Sequence, residues 1–123
     1  MVVDTSAVLA IFFDEPLAPK IAEILNSNSD NLQMSTVNLT EVLILLLDRL
    51  PNDFPKLEEK IYKSSIEFIP PSIRQSQIAA HAHHRFPINL GDCFAYALAV
   101  DQGKPLLATD TDFLKTDVMM SAL

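Results

Sequence analysis

The sequence has a single cysteine, Cys93, so an intramolecular disulfide cannot form and a cysteine-rich zinc site is excluded. A lone free cysteine reads as a small buried hydrophobe rather than a nucleophile. Glycine is scarce, with two residues, and proline is scattered; no Ser/Gly-rich or low-complexity stretch marks a linker. No segment repeats, which argues against a repeat architecture. Long hydrophobic runs are missing too. The longest, Ala7 to Phe13 and Val42 to Leu47, fall well short of a bilayer span, and no basic segment precedes Met1-Val2-Val3. The expectation is a cytoplasmic protein without a membrane segment. Basic residues are in deficit, nine against sixteen acidic, giving a formal charge of −7. That balance argues against a broad basic face that grips nucleic acid. The objection weakens where several carboxylates share one site with divalent cations, since each such ion neutralises a pair of charges and leaves the basic residues to form a small patch.

What is present suffices for one compact domain. A chain of 123 residues at 49% hydrophobic can bury roughly two thirds of its unfolded surface, so residues 1–123 are expected to form a single domain. Val2-Val3 reads as a short buried strand ending at Asp4, followed by a helix from near Ser6 that stops at Asp14-Glu15-Pro16. A helix from Leu17 to about Leu25, a polar loop from Asn26 to Asn31 and a strand from Leu32 to Ser35 come next. Thr36 is the candidate N-cap of a helix that carries Leu39, Val42, Leu43, Leu46 and Leu47 at helical spacing and ends before Pro51. Glu41 lies in its early turns. Lys56 to Ser65 predicts a helix, Ile66 to Ile69 a strand, and Ser72 to His84 a helix after Pro70-Pro71. Asn89 caps an apolar helix from Leu90 to Val100, with Asp92 three residues after the cap and Gly103 ending it. Leu106-Leu107-Ala108 predicts the last strand, which runs out at Thr109-Asp110-Thr111-Asp112. Helices that alternate with short, unpatterned apolar strands favour an α/β fold with a parallel sheet covered on both faces. Ligands of such sheets bind beyond the carboxyl ends of the strands, where Asp4 and Asp110 are expected.

Asp4, Glu41, Asp92 and Asp110 are separated in turn by 37, 51 and 18 residues, so only the fold can bring them together. What unites them is placement: two at strand ends, two in early helical turns, where the helix N-terminus favours a carboxylate. Taken one at a time, Asp92 reads equally as a capping carboxylate, Asp110 as a turn former and Asp4 as a strand terminator. Converging at about 5 Å, each pair of carboxylates repels by on the order of 3 kcal/mol at an effective dielectric of about 20. Such a cluster requires cations. Hard oxygen ligands without cysteine or an obligatory histidine favour Mg²⁺ or Mn²⁺, which accept phosphate oxygens and lower the pKa of an attacking water. In-line hydrolysis of a phosphodiester without a covalent intermediate follows.

Val3-Asp4-Thr5-Ser6, Val37-Asn38-Leu39-Thr40-Glu41-Val42, Leu90-Gly91-Asp92-Cys93-Phe94-Ala95-Tyr96-Ala97-Leu98-Ala99 and Pro105-Leu106-Leu107-Ala108-Thr109-Asp110-Thr111-Asp112-Phe113 resemble, in order, the successive signatures of PIN domains. The first is weakly specific alone; the third followed by the fourth at this distance is strongly so. The small single-domain form resembles the VapC toxins of type II toxin–antitoxin systems. That resemblance implies a three-layer α/β/α sandwich around a mainly parallel sheet and an Mg²⁺- or Mn²⁺-dependent endoribonuclease acting on RNA. It also implies frequent homodimers and inhibition by a VapB-like antitoxin. It makes Asp4, Glu41, Asp92 and Asp110 the catalytic and metal-site acids, with Ser6 a hydrogen-bonding residue placed to meet substrate. Many members carry Gly and two acidic or amide positions before the Phe, whereas here the segment is Asp110-Thr111-Asp112-Phe113, which leaves the fourth acid open between Asp110 and Asp112.

An inactive PIN-like scaffold that binds RNA or a protein partner is the alternative, and the intact acidic set argues against it. A phosphotransfer domain of the receiver or haloacid-dehalogenase type also places Asp after its first strand. Asp4-Thr5-Ser6 lacks the second aspartate of the phosphatase motif, and no Lys follows a late strand as a receiver requires. His81, His83 and His84 read as solvated helix-end residues, since a helix puts His83 off the face shared by the other two. Arg85, expected in the loop before the Asp92 helix, suits either an RNA phosphate or a surface ion pair. The charged Lys56-to-Lys63 segment reads as a solvated helix face. Val8, Leu9, Ile11, Phe12 and Phe13, like Leu43 to Leu47, exceed what one helix stripe buries. The excess points to a homodimer with a further apolar groove for an antitoxin peptide.

Overall fold

The computed structural model describes residues 1–123. Its elements run β1 (Val2–Val3), α1 (Thr5–Phe12), α2 (Ala18–Ser27), β2 (Gln33–Ser35), α3 (Thr36–Arg49), α4 (Phe54–Tyr62), β3 (Glu67–Ile69), α5 (Ile73–Arg85), α6 (Leu90–Gln102), β4 (Leu106–Leu107) and a 3₁₀ turn (Thr111–Lys115). The four strands lie in the order β3-β2-β1-β4, and every pairing is parallel. An isolated parallel bridge from Leu106 to Met120 lays the C-terminal segment along the β4 edge.

Alternation along the strands builds the layers, because successive side chains of a strand point to opposite faces. Val2 and Leu106 join α5 and α6 in one fully buried cluster with Phe113 and Ala97. Val3 and Leu107, one residue on, join α1, α2, α3 and α4 on the other face with Ile21, Val42 and Leu46. The result is a three-layer α/β/α sandwich with a parallel sheet at its centre, as the strand pattern predicted. α6 is buried almost all round: Cys93, Ala95, Ala97, Leu98 and Ala99 are each at most 1% exposed, and the small alanines let α5 pack closely on it. No helix is long and apolar enough to cross a membrane.

The element boundaries moved in ways their chemistry explains. Ser35, not Thr36, caps α3: its backbone is extended at φ −64°, ψ 140°, and its hydroxyl accepts the Val37 N–H, while Thr36 is already helical. α4 starts at Phe54 and not Lys56, since Pro55 in the first turn has no N–H to leave unpaired. It closes at Tyr62 and not Ser65, where the Ser64 hydroxyl donates to the Ile61 carbonyl at 2.6 Å. α5 runs one residue past His84, so Arg85 ends a helix and does not sit in a loop. Asn89 does cap α6, and Gly103 ends it with a left-handed φ of 62° that suits glycine.

Candidate active site

Asp4 leaves β1 and caps α1. Its Oδ2 accepts the Ser6 backbone N–H at 3.0 Å and the Ser6 hydroxyl at 2.7 Å. Ser6 Oγ in turn accepts the N–H groups of Thr109 and Asp110 at 3.0 and 3.3 Å, so one hydroxyl staples the end of β1 to the loop after β4. One donor and two acceptor sites are then in use, and Ser6 meets the site through Asp4 rather than through a free hydroxyl. Asp4 is 2% exposed and its Oδ1 has no hydrogen-bond donor. Burial pushes its carboxyl up to about 6, the charges of Glu41 and Asp110 add to the rise, and the two Ser6 hydrogen bonds oppose it.

Asp92 stands in the first turn of α6, the position of a capping carboxylate. The capping is done by Asn89, whose Oδ1 accepts the Asp92 N–H at 2.8 Å. Asp92 Oδ2 is buried without a donor. Burial first, then the charges of Asp4 and Asp110, lift the Asp92 carboxyl to about 7. Glu41 projects from the second turn of α3, and its Oε1 accepts hydrogen bonds from Thr5 Oγ1 at 2.8 Å and Asn38 Nδ2 at 2.9 Å. Asp110 caps the 3₁₀ turn through its Oδ1, which accepts the Asp112 N–H at 2.9 Å, and Asp112 pairs with Lys115 at 3.2 Å. One carboxylate oxygen from each of Asp92, Asp110 and Asp112 lies within 4.8 Å of the others.

Asp92, Asp110 and Asp112 therefore meet beyond the carboxyl end of β4, and Asp4 and Glu41 stand near enough for their charges to act on Asp92. Asp110 and Asp112 face the same cluster, so the structure does not choose between them. The donor set is all carboxylate and excludes histidine, and two buried carboxylate oxygens lack partners, so the residues present fit a hard divalent cation such as Mg²⁺ or Mn²⁺.

Arg85 forms a surface ion pair. It pairs with Asp117 at 3.3 Å, with its guanidinium 4.7 Å from the Phe86 ring centroid, and Asp117 also accepts the Tyr96 hydroxyl. His81, His83 and His84 are exposed on α5 and Cys93 is buried, as expected. Thr5, Asn38 and Gly91 were not anticipated. A Cβ on Gly91 would lie 2.1 Å from Glu41 Oε2, so the missing side chain is the space Glu41 occupies. The signal for Asn38 was its position three residues before Glu41, which shares a helix face. Away from the acids, an apolar cavity of about 120 Å³ opens between α1, α3 and α4, lined by Val8, Ile11, Phe12, Leu39, Val42 and Ile61. Ile44 and Leu47 of α3 stay about half exposed.

The PIN-domain family model matches residues 1–119. Ribonuclease VapC28 of Mycobacterium tuberculosis is 36% identical over 127 aligned positions, which cover 96% of this chain and 95% of that protein. Among solved structures, Mycobacterium tuberculosis VapC20, described as a sarcin-ricin loop cleaving toxin, superposes with a TM-score of 0.82 at 16% identity over 98% and 97% of the two chains. VapBC2 from Rickettsia felis, bound to a DNA fragment from its promoter, gives a TM-score of 0.76 at 13% identity over 98% and 96%. At those identities the two structural likenesses concern the fold.

Proposed function

The chain belongs to the PIN-domain family, and from that premise we propose that it is a metal-dependent endoribonuclease hydrolysing RNA phosphodiester bonds, the toxin of a VapBC-type pair. Residues 1–123 act as one catalytic domain in the cytoplasm. One observation carries the reading: the carboxylates of Asp4 and Asp92 are buried, mutually repelling and each left with an oxygen that no protein donor satisfies. A scaffold that only bound RNA would gain nothing from so costly an arrangement.

Asp4, Glu41, Asp92 and Asp110 would hold Mg²⁺ or Mn²⁺, with Asp112 as a fifth acid at the rim. Bound there, the ion supplies the positive charge that lets the carboxylates ionise together and polarises water and phosphate for in-line displacement. Ser6 holds Asp4 in place and fixes the loop that carries Asp110. Without the ion, the carboxyl groups of Asp4 and Asp92, raised to about 6 and about 7, keep protons near neutrality that a bound cation would displace. Water is the proposed nucleophile: the Ser6 oxygen already accepts the Thr109 and Asp110 N–H groups, which occupies its lone pairs, and Cys93 is buried with its thiol pushed up.

A VapB-like antitoxin is the proposed occupant of the apolar cavity bordered by Val8, Ile11 and Phe12. Exposed Ile44 and Leu47 are the proposed contribution of α3 to a homodimer. Asp92→Asn is expected to abolish RNA cleavage while the thermal midpoint at pH 8 stays the same or rises, since a repelled, desolvated charge is removed. Cleavage that survives this substitution and Asp4→Asn would overturn the proposal.

A further inference from the structure

Glu41 is held by an arrangement that leaves it one oxygen to use. Both hydrogen bonds it receives end on Oε1, from Thr5 Oγ1 at 2.8 Å and Asn38 Nδ2 at 2.9 Å. A carboxylate oxygen has two lone pairs, so Oε1 is saturated and Oε2 keeps its full accepting capacity. The carboxylate lies against Gly91, next in sequence to Asp92: a Cβ there would meet Oε2 at 2.1 Å and Oε1 at 2.5 Å.

The two donors are not equivalent. The Thr5 hydroxyl has one hydrogen and two acceptors within reach, Glu41 Oε1 and the Asn38 carbonyl at 3.1 Å, so its support is divided. Asn38 has no such alternative. Its amide nitrogen donates to Glu41 Oε1 and, at 3.0 Å, to the Gly91 carbonyl. Both partners accept, which fixes the orientation of the amide. Asn38 is 0% exposed, and its Oδ1 has no donor of its own. A buried amide with an unsatisfied carbonyl is a poor device for stability, because an unpaired polar atom is costly to bury. The same amide spans α3 and the start of α6, the two helices that deliver Glu41 and Asp92.

We infer that Asn38 is a positioning residue that aims Glu41 Oε2 into the acidic cluster as its single free ligand atom and sets the distance from Glu41 to Asp92. This rests on the proposed metal-dependent reading of the site. The test is a coupling measurement by calorimetry with Mn²⁺ alone, on the wild-type chain, Asn38→Leu, Glu41→Gln and the double variant. Leu has nearly the shape of Asn and removes both donors. Loss of a group that orients a ligand weakens metal binding by about 10- to 100-fold, and that range is expected for Asn38→Leu. In the Glu41→Gln background the same change should cost almost nothing further, and RNA turnover by Asn38→Leu should fall in kcat with KM little altered. A full, additive loss on the Glu41→Gln background would make Asn38 a purely structural residue and overturn the inference. Unchanged Mn²⁺ affinity in Asn38→Leu, with normal uptake by the wild type, would overturn it while leaving the parent reading intact; no uptake by the wild type would sink both. If Asn38→Leu does not fold, Asn38→Ser, which keeps one donor in less volume, is judged by the same coupling.

Discussion

A Cβ on Gly91 would sit 2.1 Å from Glu41 Oε2 and 2.4 Å from Cδ, far inside contact distance. Gly91→Ala must therefore move Glu41 or shift the start of α6, and displacement of a reacting group by an ångström costs about 100-fold in rate. A loss of kcat of that order is expected in an RNA cleavage assay, with far-ultraviolet circular dichroism unchanged. Wild-type turnover would show that Glu41 has slack. At this scale the acids themselves were legible, because a carboxylate at a strand end or in the first turn of an apolar helix stands out against its neighbours. Their supports were not. Asn38 and Thr5 are small polar residues near helix starts, where capping is the ordinary explanation; the helix itself turns Asn38 toward Glu41, but only the packing of α1 and α6 on α3 brings Thr5 to Glu41 and the Gly91 carbonyl to Asn38.

The first turn of α6 shows how an element serves the site. Asn89 takes the Asp92 N–H at 2.8 Å, which pins the helix start and leaves the Asp92 carboxylate outside the capping contact. Asn89→Ala should cost about 1 kcal/mol in urea unfolding, the usual loss for a side-chain cap, and lower activity by loosening Asp92. A midpoint equal to wild type would mean that Asn89 does not hold the turn. Helix identities were legible from apolar spacing, and the Asn89 and Gly103 signals marked both ends of α6. The boundaries that moved did so where competing residues stand side by side: Ser35 and Thr36 both suit a cap, and only the extended backbone of Ser35 decides between them. Arg85 was misplaced for a similar reason, since nothing in His83-His84-Arg85-Phe86 halts a helix before the extended Phe86.

For the whole molecule, the alternation of helices with short apolar strands made the parallel sandwich legible, while the meeting of Asp92, Asp110 and Asp112, with the charges of Asp4 and Glu41 acting on Asp92, depends on strand order that no spacing encodes. That meeting governs stability. Asp4 and Asp92 have folded pKa values raised from 3.8 to about 6 and about 7. Between the unfolded and folded values the native state holds protons that the unfolded chain has released, so each step up in pH favours unfolding. Metal-free protein is therefore expected to lose thermal stability from about pH 4 to pH 7, with the full penalty above that. A divalent cation offsets the penalty where the carboxylates are ionised and competes with protons where they are not. The measurement that decides is the thermal midpoint against pH, with and without Mg²⁺, for the wild type and Asp92→Asn. The convergence of these acids predicts a decline toward neutral pH without Mg²⁺ and a larger Mg²⁺-induced rise at pH 8 than at pH 5, both diminished in Asp92→Asn. A midpoint that ignores pH across this range, or the same Mg²⁺ effect at both pH values in both proteins, would contradict it.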